Sequence, residues 1–371
     1  MNAAGIGWIG ADKTEVPTPA LLLDLDLAGR NIARMGEYLR NTHAALRPHF
    51  KTHKTPLLSH LQLRAGAIGI TCQTVGEAEV LANAGITDIL ISNQVVGVHK
   101  VRRLARLANW TDLKVAVDSA QTLAAVSRAA QAAQSVVGVL VEVNIGQNRC
   151  GVDPGTPALR LAEDASRSPG VEFLGLMGYE GHCVFIEQLE KRKLEAGKSL
   201  DLLVETKSLV EKAGIECRIT SAGGTGTFAI ASSYPQITEI QAGSYVTMDM
   251  RYSGVEGVGG LFLQALTVLT TVLSRPNRTR VVMDAGMKSI TPEFGLPQPQ
   301  PGHPDMAVYK LSEEHSLAEL RGDAIALAVG DVVELIPSHG CTTINLFDYM
   351  YGVRNGIIEC ILPIAGRGKS A

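Results

Sequence analysis

Short apolar runs alternate with amphipathic, helix-length segments along the chain up to Gly254. From Arg47 onward, eight of these runs have the length and the β-branched content of buried strands. In chain order they are RPHFK, AIGITCQ, DILISN, LKVAVD, VGVLVEVN, FLGLMGY, CRITSAG and TEIQAGS. The segments between them, such as VGEAEVLANAG and AQTLAAVSRAAQAA, have the apolar spacing of surface helices. Because strands that alternate with helices form parallel sheets, eight such units predict a (β/α)8 barrel of the TIM type.

The pattern changes beyond Gly254. ALTVLTTVLS, RVVMDAGM, DVVELIP and GIIECILPI are β-branched runs separated by turns, while TPEFGLPQPQPGHP (residues 291–304) contains five prolines and is predicted to be a long loop. Near the N-terminus, PALLLDLD is predicted to be a strand and LAGRNIARMGEYLRNT the helix after it. We therefore predict a barrel domain over residues 1–253 and a mostly β domain over residues 254–371. A segment of about 18 residues at the N-terminus is a candidate for packing on the β domain.

Composition and charge narrow the possible functions. Apolar residues make up 46% of the chain and the formal net charge is -3, which disfavours a nucleic-acid-binding protein because such proteins need a basic field. The first residues lack the features of a signal peptide, and no apolar run has the length of a membrane helix, so we expect no membrane partner. Six cysteines occur singly, which predicts free thiols or ligands and a cytoplasmic setting.

The segment LRPHFKTHKT (residues 46–55) concentrates two lysines, two histidines and an arginine. If RPHFK is the first barrel strand, the basic side chains at alternate positions share one direction, from Arg47 through His49 and Lys51 to His53. Cationic neighbours would lower the pKa of Lys51, and an uncharged lysine amine forms Schiff bases with carbonyl groups. The alternative is a basic surface turn exposed to solvent.

Two glycine-containing segments follow predicted strands. SAGGTGTF (residues 221–228) offers backbone N–H groups and hydroxyls that suit a phosphate, and in barrels a phosphate site often forms after the last strands. A plain turn between a strand and a helix is the alternative for this segment. EVNIGQNRCGV places Arg149 in a turn after another strand, where the alternative is an ordinary exposed arginine.

The segment IPSHGCTTINLFD contains His339 and Cys341 at positions i and i+2. In an extended segment these two side chains point the same way, and imidazole with thiolate is a suitable pair for zinc or a similar transition metal. Two protein ligands leave coordination positions open for water or substrate. The alternative is a buried histidine beside an unrelated cysteine.

Taken in order and spacing, these segments resemble the fold-type III pyridoxal-phosphate enzymes, whose barrel is of the alanine racemase type. The resemblance is closer to the branch that holds D-threonine aldolases and eukaryotic-type D-serine dehydratases, and it extends from TPALLLDLD to GVRNGIIECILPIAGRG. It implies pyridoxal 5'-phosphate and a divalent metal (Zn, Mn, Co or Mg) as cofactors. It also implies a homodimer with its active site at the subunit interface.

The resemblance assigns site residues as well. Lys51 of RPHFKTHK is implied as the residue that binds the cofactor covalently, Arg149 as a neighbour of the ring oxygen and Gln241 as the residue that faces the pyridine nitrogen. His339 and Cys341 match the metal pair, and His182 is a candidate base for an aldol reaction, with a backbone-bonded loop histidine as its alternative. The cofactor-binding residues implied in this way are Lys51, His49, Arg149, Tyr179, Gly224, Thr225, Gly226, Gln241, Gly243 and Ser244.

The implied function is that of a lyase acting on D-β-hydroxy amino acids. The His-Gly-Cys sequence is the version typical of dehydratases, whereas NIGQNRCGV, GGTGTF, EIQAGSYVTMD and INLFD look more like the aldolases. We therefore predict retro-aldol cleavage of the D-threonine aldolase type, to glycine and an aldehyde. The alternative is dehydration of D-serine or D-3-hydroxyaspartate to a 2-oxo acid and ammonia. An amino-acid racemase and a non-catalytic pyridoxal-phosphate carrier remain further alternatives.

Overall fold

The computed structural model of this chain describes residues 6–302 and 304–371, so His303 of the predicted proline-rich loop lies outside the described residues. The chain divides into two compact units. The barrel unit consists of Ala33–Lys51, Pro56–Gly243 and Gly368–Ala371. The β unit consists of residues 6–32, Thr52–Thr55 and Ser244–Arg367. The barrel unit thus reaches Gly243, and the domain boundary between residues 253 and 254 stays a prediction.

The elements are numbered in chain order. The strands are β1 (Ala20–Asp24), β2 (Ala45–Leu46), β3 (Ile70–Cys72), β4 (Asp88–Gln94), β5 (Asp112–Val117), β6 (Val137–Val143), β7 (Val171–Gly178), β8 (Ile219–Ala222), β9 (Glu239–Ile240), β10 (Leu266–Asn277), β11 (Arg280–Met283), β12 (Gln298–Pro299), β13 (Met306–Leu311), β14 (Ser316–Leu320), β15 (Val332–Ile336), β16 (Tyr349–Arg354) and β17 (Ile357–Pro363). The α-helices are α1 (Leu25–Arg40), α2 (Pro56–Arg64), α3 (Val75–Asn83), α4 (Val98–Leu107), α5 (Ala120–Ala133), α6 (Thr156–Arg167), α7 (Leu189–Lys212), α8 (Phe228–Ala231), α9 (Met250–Ser253) and α10 (Gly340–Ile344). None of the helices in the described part of the chain has the length and apolar composition needed to cross a bilayer.

Eight parallel strands form the sheet of the barrel unit, in the order β2-β9-β8-β7-β6-β5-β4-β3. The two ends of this order meet, because Ile68 N–H donates to the Leu46 carbonyl at 2.9 Å and Phe50 N–H donates to the Thr71 carbonyl at 2.7 Å. Helices connect successive strands, as right-handed crossovers in parallel sheets require. The predicted (β/α)8 barrel is therefore confirmed.

The interior of the barrel is apolar in its middle layer. Leu90, Ala116, Leu140 and Met177 form one buried cluster, and the half-buried Ile219 packs against it. These residues come from β4, β5, β6, β7 and β8, and side chains from non-adjacent strands can meet only inside the barrel. This layer separates the two ends of the barrel, which carry different polar groups.

An ion-pair network lies where the strands begin. The Arg47 guanidinium is 2% exposed and binds Glu239, the first residue of β9, at 2.9 Å. It also binds Asp88 at 2.5 Å, and the Lys114 amine binds the same Asp88 at 2.7 Å. The carboxylates neutralise the buried guanidinium and raise the pKa of Arg47 against the lowering effect of burial.

The expected strand RPHFK is shorter than its sequence indicates. Strand β2 ends at Leu46, only a single bridge pairs His49 with Thr71, and residues 50–53 form a turn. The expected alternation from Arg47 to His53 holds only within a strand, and it does not apply here because β2 ends at Leu46. The Arg47 charge is paired with Glu239 and Asp88, at the end where the barrel strands begin.

The β unit contains a nine-stranded sheet with the path β13-β14-β11-β10-β1-β16-β17, and β15 pairs with β10 and β12. Strand β1 runs antiparallel to β10 and parallel to β16, so PALLLDLD belongs to this sheet rather than to the barrel. Its core contains Ala20, Leu22, Leu269 and Tyr351, and Val16 from the N-terminal segment packs with them. The predicted runs in this part of the chain correspond to β10, β11, β15 and β17.

Candidate active site

Several polar residues predicted from the sequence lie where the barrel strands end. Lys51 follows β2, Tyr179 follows β7, and Gln241 follows β9. The glycine-rich segment 223–227 follows β8, and Arg149 lies in the loop after β6. Because parallel strands present their carboxyl ends at the same end of a barrel, these residues occupy the end at which barrel enzymes carry their sites.

Lys51 has a buried histidine as its neighbour. The Lys51 backbone N–H donates to His49 Nδ1 at 3.3 Å, and His49 Nε2 lies 3.2 Å from Ser92 Oγ. A ring nitrogen that accepts a hydrogen bond carries no proton, so this arrangement describes a neutral imidazole with its proton on Nε2. His49 is 6% exposed and Lys51 is half-buried. His49 therefore holds the backbone at Lys51 without adding a positive charge.

Arg149 and Tyr179 form a cation–π pair. The Arg149 guanidinium carbon lies 5.7 Å from the centre of the Tyr179 ring. Arg149 is exposed and Tyr179 is half-buried, so the positive charge stays accessible while the ring lines the interior. The structure thus brings together two side chains that the sequence separates by thirty positions.

The glycine-rich loop after β8 is braced by a buried carboxylate. The Gly224 N–H donates to Thr227 Oγ1 at 3.1 Å, and the same hydroxyl donates to Glu180. The Gly223 N–H donates to the second oxygen of Glu180 at 3.4 Å. Glu180 is fully buried, and burial raises its pKa although these hydrogen bonds act in the opposite direction. The loop is therefore fixed from the protein side by Glu180.

Glycine is required in this loop because the neighbouring atoms leave no room for a Cβ. A Cβ on Gly226 would lie 1.9 Å from the Val184 carbonyl oxygen, a distance that no side chain can occupy. A Cβ on Gly224 would lie 3.2 Å from atoms of the Tyr179 ring. Gly224, Thr225 and Gly226 are all buried. The loop backbone at Gly224 and Gly226 is therefore held in place by close packing against Val184 and Tyr179.

The remaining predicted cofactor residues belong to two different units. Gln241 donates from Nε2 to Ser221 Oγ at 2.8 Å, and Gly243 is buried in the barrel unit. Ser244 belongs to the β unit, where its hydroxyl lies 3.7 Å from Cys341 Sγ. The amine, guanidinium, hydroxyl and glycine-loop groups of the barrel unit suit an anionic aldehyde cofactor such as pyridoxal phosphate.

His182 is exposed in the loop after β7. Its imidazole lies beside Gly146 in the loop after β6, because a Cβ on Gly146 would be 3.0 Å from His182 Cε1. Its role as a proton acceptor stays a prediction.

His339 and Cys341 lie at the start of helix α10 in the β unit. His339 precedes the helix with extended backbone angles (φ -139°, ψ 127°), and Cys341 is in the first helical turn. The pair thus spans a strand-to-helix junction, which differs from the extended segment assumed from the spacing. Cys341 Sγ lies 3.4 Å from Oγ1 of Thr52, the residue that follows Lys51 in the sequence.

The surroundings of His339 are negatively charged. Its Nδ1 lies 2.9 Å from Asp249 Oδ2, and Asp249 is fully buried. Burial acts to lower the pKa of His339, but the charge of Cys341 and the hydrogen bond to Asp249 raise it to about 11. A divalent cation can replace that proton, because metal ions bind the same basic nitrogen and thiolate. Imidazole and thiolate therefore suit a borderline-soft metal such as zinc.

The structure contains no larger ligand cluster within the residues it describes. No group of three or more His, Cys, Asp or Glu side chains in residues 6–302 and 304–371 is arranged to hold a metal ion. A metal at His339 and Cys341 would keep open positions, as catalytic metal sites do.

Two residues at these positions were not found by sequence reasoning. Asp249 is 90 positions away from its partner His339, and a single aspartate before a short helix carries no local signal of that contact. Glu180 directly follows Tyr179, but a carboxylate beside an expected phosphate loop is an unfavourable choice by charge alone. Its burial is what makes the position compatible.

Comparison with known protein families identifies two domains. Residues 23–251 match the alanine racemase N-terminal domain, and residues 265–353 match the putative serine dehydratase domain. A D-threonine aldolase from Arthrobacter sp. is 40% identical over 97% of this chain and 95% of its own length. A 3-hydroxy-D-aspartate aldolase from Paracoccus denitrificans is 35% identical over 97% of this chain and 94% of its own length.

Solved structures of an aldolase and of dehydratases are also similar to this chain. The D-threonine aldolase of Filomicrobium marinum superposes with a TM-score of 0.95 at 37% identity, covering 98% of this chain and 99% of its own. A D-threo-3-hydroxyaspartate dehydratase, solved as a cysteine-to-alanine mutant in the metal-free form, superposes with a TM-score of 0.83 at 25% identity, covering 95% of this chain and 98% of its own. A mutant of the same kind of dehydratase at a histidine two positions earlier has also been solved.

Proposed function

This chain belongs to the alanine racemase N-terminal domain family, and from that premise we propose that it is a lyase cleaving D-β-hydroxy amino acids to glycine and an aldehyde. The observation that carries the proposal is the similarity of nearly the whole chain to two aldolases, together with Lys51 at the functional end of the barrel. The relatives are lyases, so the proposed reaction stays within the class that they represent.

We assign the cofactor to the barrel unit. Lys51 would hold pyridoxal phosphate covalently, Arg149 would neutralise charge at the ring, and Tyr179 would line one face of the ring. The loop 223–227 would hold the phosphate group through backbone N–H groups at the end of β8. When bound, the cofactor supplies an electron sink for negative charge at the substrate Cα.

We assign a divalent metal to the β unit. His339 and Cys341 would bind it. Such an ion supplies Lewis acidity and orientation. Cys341 Sγ donates to Thr52 Oγ1 at 3.4 Å and lies 3.7 Å from Ser244 Oγ. Both hydroxyls carry a proton that they would donate to a thiolate once metal binding removes the thiol proton.

The reaction needs one proton acceptor and one proton donor. In retro-aldol cleavage the β-hydroxyl loses its proton, the Cα–Cβ bond breaks, and Cβ leaves as an aldehyde. The remaining glycine carbanion is then protonated at Cα. Lys51 is half-buried, which would favour proton transfer to substrate atoms over exchange with solvent. His182 remains a candidate acceptor for the β-hydroxyl proton.

Dehydration is a second candidate because of the metal pair. The chain has cysteine at the second position of His-Gly-Cys. The metal-free cysteine mutant of a D-threo-3-hydroxyaspartate dehydratase favours a cysteine ligand in that enzyme. In dehydration Lys51 would remove the Cα proton and the β-hydroxyl would leave, so the same residues would serve a different bond cleavage.

A product assay separates the two reactions. Purified protein with pyridoxal phosphate and Mn²⁺, Zn²⁺, Co²⁺ or Mg²⁺ is given D-threonine, and we expect acetaldehyde and glycine in equal amounts. 2-Oxobutanoate and ammonia would instead establish the dehydratase. D-serine, D-phenylserine and D-3-hydroxyaspartate test the side chain accepted. If none of the four substrates gives glycine with an aldehyde, or a 2-oxo acid with ammonia, the lyase proposal is wrong.

A homodimer and a cytoplasmic setting complete the proposal. All six cysteines are free thiols, as is typical of proteins from reducing compartments. Sedimentation equilibrium of the full chain tests the first part, because a dimer has twice the mass of the 39.4 kDa chain.

A further inference from the structure

We propose that Asp249 is the positioning residue of the metal pair, and that its carboxylate orients the His339 imidazole so that Nε2 binds the metal. This inference rests on the metal assignment of the proposed function. The Asp249 side chain is fully buried in the β unit.

Both oxygens of the Asp249 carboxylate are used. Oδ2 lies 2.9 Å from His339 Nδ1 and accepts the Gly340 N–H at 3.1 Å. Oδ1 accepts the Tyr252 N–H at 2.9 Å, which caps helix α9. Asp249 is 0% exposed, so water does not compete for these bonds.

The segment that carries Asp249 is tied to the segment that carries His339. Met250 N–H donates to the Pro337 carbonyl at 3.1 Å, and Arg251 N–H donates to the Ser338 carbonyl at 3.3 Å. These backbone bonds flank the carboxylate–imidazole contact and fix its distance. The contact is thus a built feature of the β unit, made by residues that are 90 positions apart.

The chemistry follows from which nitrogen is occupied. A carboxylate has only acceptors, so His339 Nδ1 must donate its proton to Asp249. In a neutral imidazole this leaves the lone pair on Nε2, which is the nitrogen available to a metal. A carboxylate behind a metal-binding histidine fixes the tautomer and raises the basicity of the ligand nitrogen.

Asp249→Asn separates this role from simple helix capping. Asparagine is also a good N-cap. Its side-chain oxygen can still accept the hydrogen bond from the Tyr252 N–H while its NH2 group turns toward His339. An NH2 group donates to Nδ1 and favours the tautomer with the proton on Nε2, which cannot bind a metal. Asp249→Ser provides a second variant, because serine also caps helices but leaves no acceptor for His339.

The experiment is a Co²⁺ titration of the metal-depleted, cofactor-loaded full chain by equilibrium dialysis with elemental analysis. Ligand-field absorption bands report whether the site geometry changes, and urea unfolding reports stability. We expect Asp249→Asn and Asp249→Ser to weaken Co²⁺ binding by roughly 10- to 100-fold. Both variants should also unfold at a lower urea concentration, because the buried Gly340 N–H loses its acceptor. His339→Ala defines the signal of a lost site.

Asp284→Asn is the matched control. Asp284 lies in the same unit and accepts the Thr271 N–H at 2.9 Å and the Thr270 hydroxyl at 2.7 Å, away from His339. It should keep wild-type Co²⁺ affinity. Wild-type affinity in both Asp249 variants would overturn the inference and leave the proposed function intact, and so would an equal loss in Asp284→Asn. If the wild-type protein does not bind Co²⁺ at all, the metal assignment and the inference fail together.

Discussion

Lys51 is the residue on which the proposed chemistry depends, and its neighbours decide how its amine behaves. His49 accepts the Lys51 backbone N–H and is therefore neutral in this arrangement, while the Arg47 guanidinium is buried between Glu239 and Asp88. Lys54 donates to Asn345 Oδ1 at 3.0 Å within the β unit. The Arg47 charge is thus compensated by its own carboxylate partners, and Lys51 itself is half-buried.

Replacing Lys51 by alanine should abolish covalent attachment of the cofactor. The wild-type protein reduced with borohydride should carry the pyridoxyl group on the peptide that contains Lys51, because only an imine between amine and aldehyde is trapped in this way. Lys51→Ala should lose the visible absorbance of the bound cofactor, whereas Lys54→Ala, the matched control, should keep it. Mass spectrometry of the reduced peptides gives the answer, and a label on another lysine would contradict the assignment.

Glu180 should give the unfolding free energy a measurable pH dependence. Burial raises the pKa of Glu180 above its ordinary value of 4.5, so the folded state holds a proton that the unfolded state releases. The contribution of this proton to stability is complete below pH 4.5 and is lost as the pH rises through the folded pKa. Glu180→Gln cannot titrate, so its unfolding free energy should fall less steeply than that of the wild type over this range.

Urea unfolding of both proteins at several pH values tests this difference. The exposed carboxylate of Glu205, on helix α7, provides the control, and Glu205→Gln should follow the wild-type curve. Parallel curves for Glu180→Gln and the wild type would show that Glu180 is charged in the folded protein.

At the scale of secondary structure, the barrel was predictable because most of its strands have a recognisable local sequence pattern. Strand β6 is an apolar run interrupted only by Glu142, and β4 has an apolar centre followed by polar residues, so each could be found by itself. Strand β2 has two residues and is defined by its pairing with β9, which no local pattern encodes. The membership of β1 in the β unit depends on β16, more than 300 positions away, and was unpredictable for the same reason.

The glycine loop after β8 should not tolerate a side chain at Gly226. A Cβ there would lie 1.9 Å from the Val184 carbonyl oxygen, and backbone cannot yield as a flexible side chain does. We expect Gly226→Ala to lower the unfolding free energy by about 1–3 kcal/mol. It should also weaken the binding of pyridoxal phosphate more than the binding of unphosphorylated pyridoxal. Denaturant unfolding and equilibrium binding of the two cofactors measure these effects.

Gly29→Ala is the control for that substitution. Gly29 is exposed in helix α1, and a Cβ on it meets nothing within 4 Å. Alanine is the better helix former, so this variant should gain about 0.5–1 kcal/mol. Equal binding of both cofactors by Gly226→Ala, with wild-type stability, would exclude the loop as a phosphate site.

At the scale of the whole molecule, the chain enters each unit more than once. Lys51 ends a segment of the barrel unit and Thr52 begins a segment of the β unit, and Gly243 and Ser244 mark a second such point. Both crossings fall inside motifs that the sequence assigns to cofactor binding. A linear division of the sequence into two domains could not express this, because a residue's unit is decided by packing and not by position in the chain.

The two proposed ligands should therefore stabilise different units. A ligand that binds only the folded state adds RT ln(1 + [L]/Kd) to the opening free energy, which is about 2.7 kcal/mol at 100 times Kd. Amides that exchange through opening of the binding unit should then exchange roughly 100-fold more slowly. Pyridoxal phosphate alone should slow exchange most at residues 46–51 and 223–227, and Zn²⁺ alone at residues 249–253 and 339–345. Hydrogen exchange with mass spectrometry resolves these peptides, and Lys51→Ala and Cys341→Ala should each lose one effect and keep the other. Protection of the barrel segments by Zn²⁺ alone, with none at 339–345, would place the metal away from His339 and Cys341.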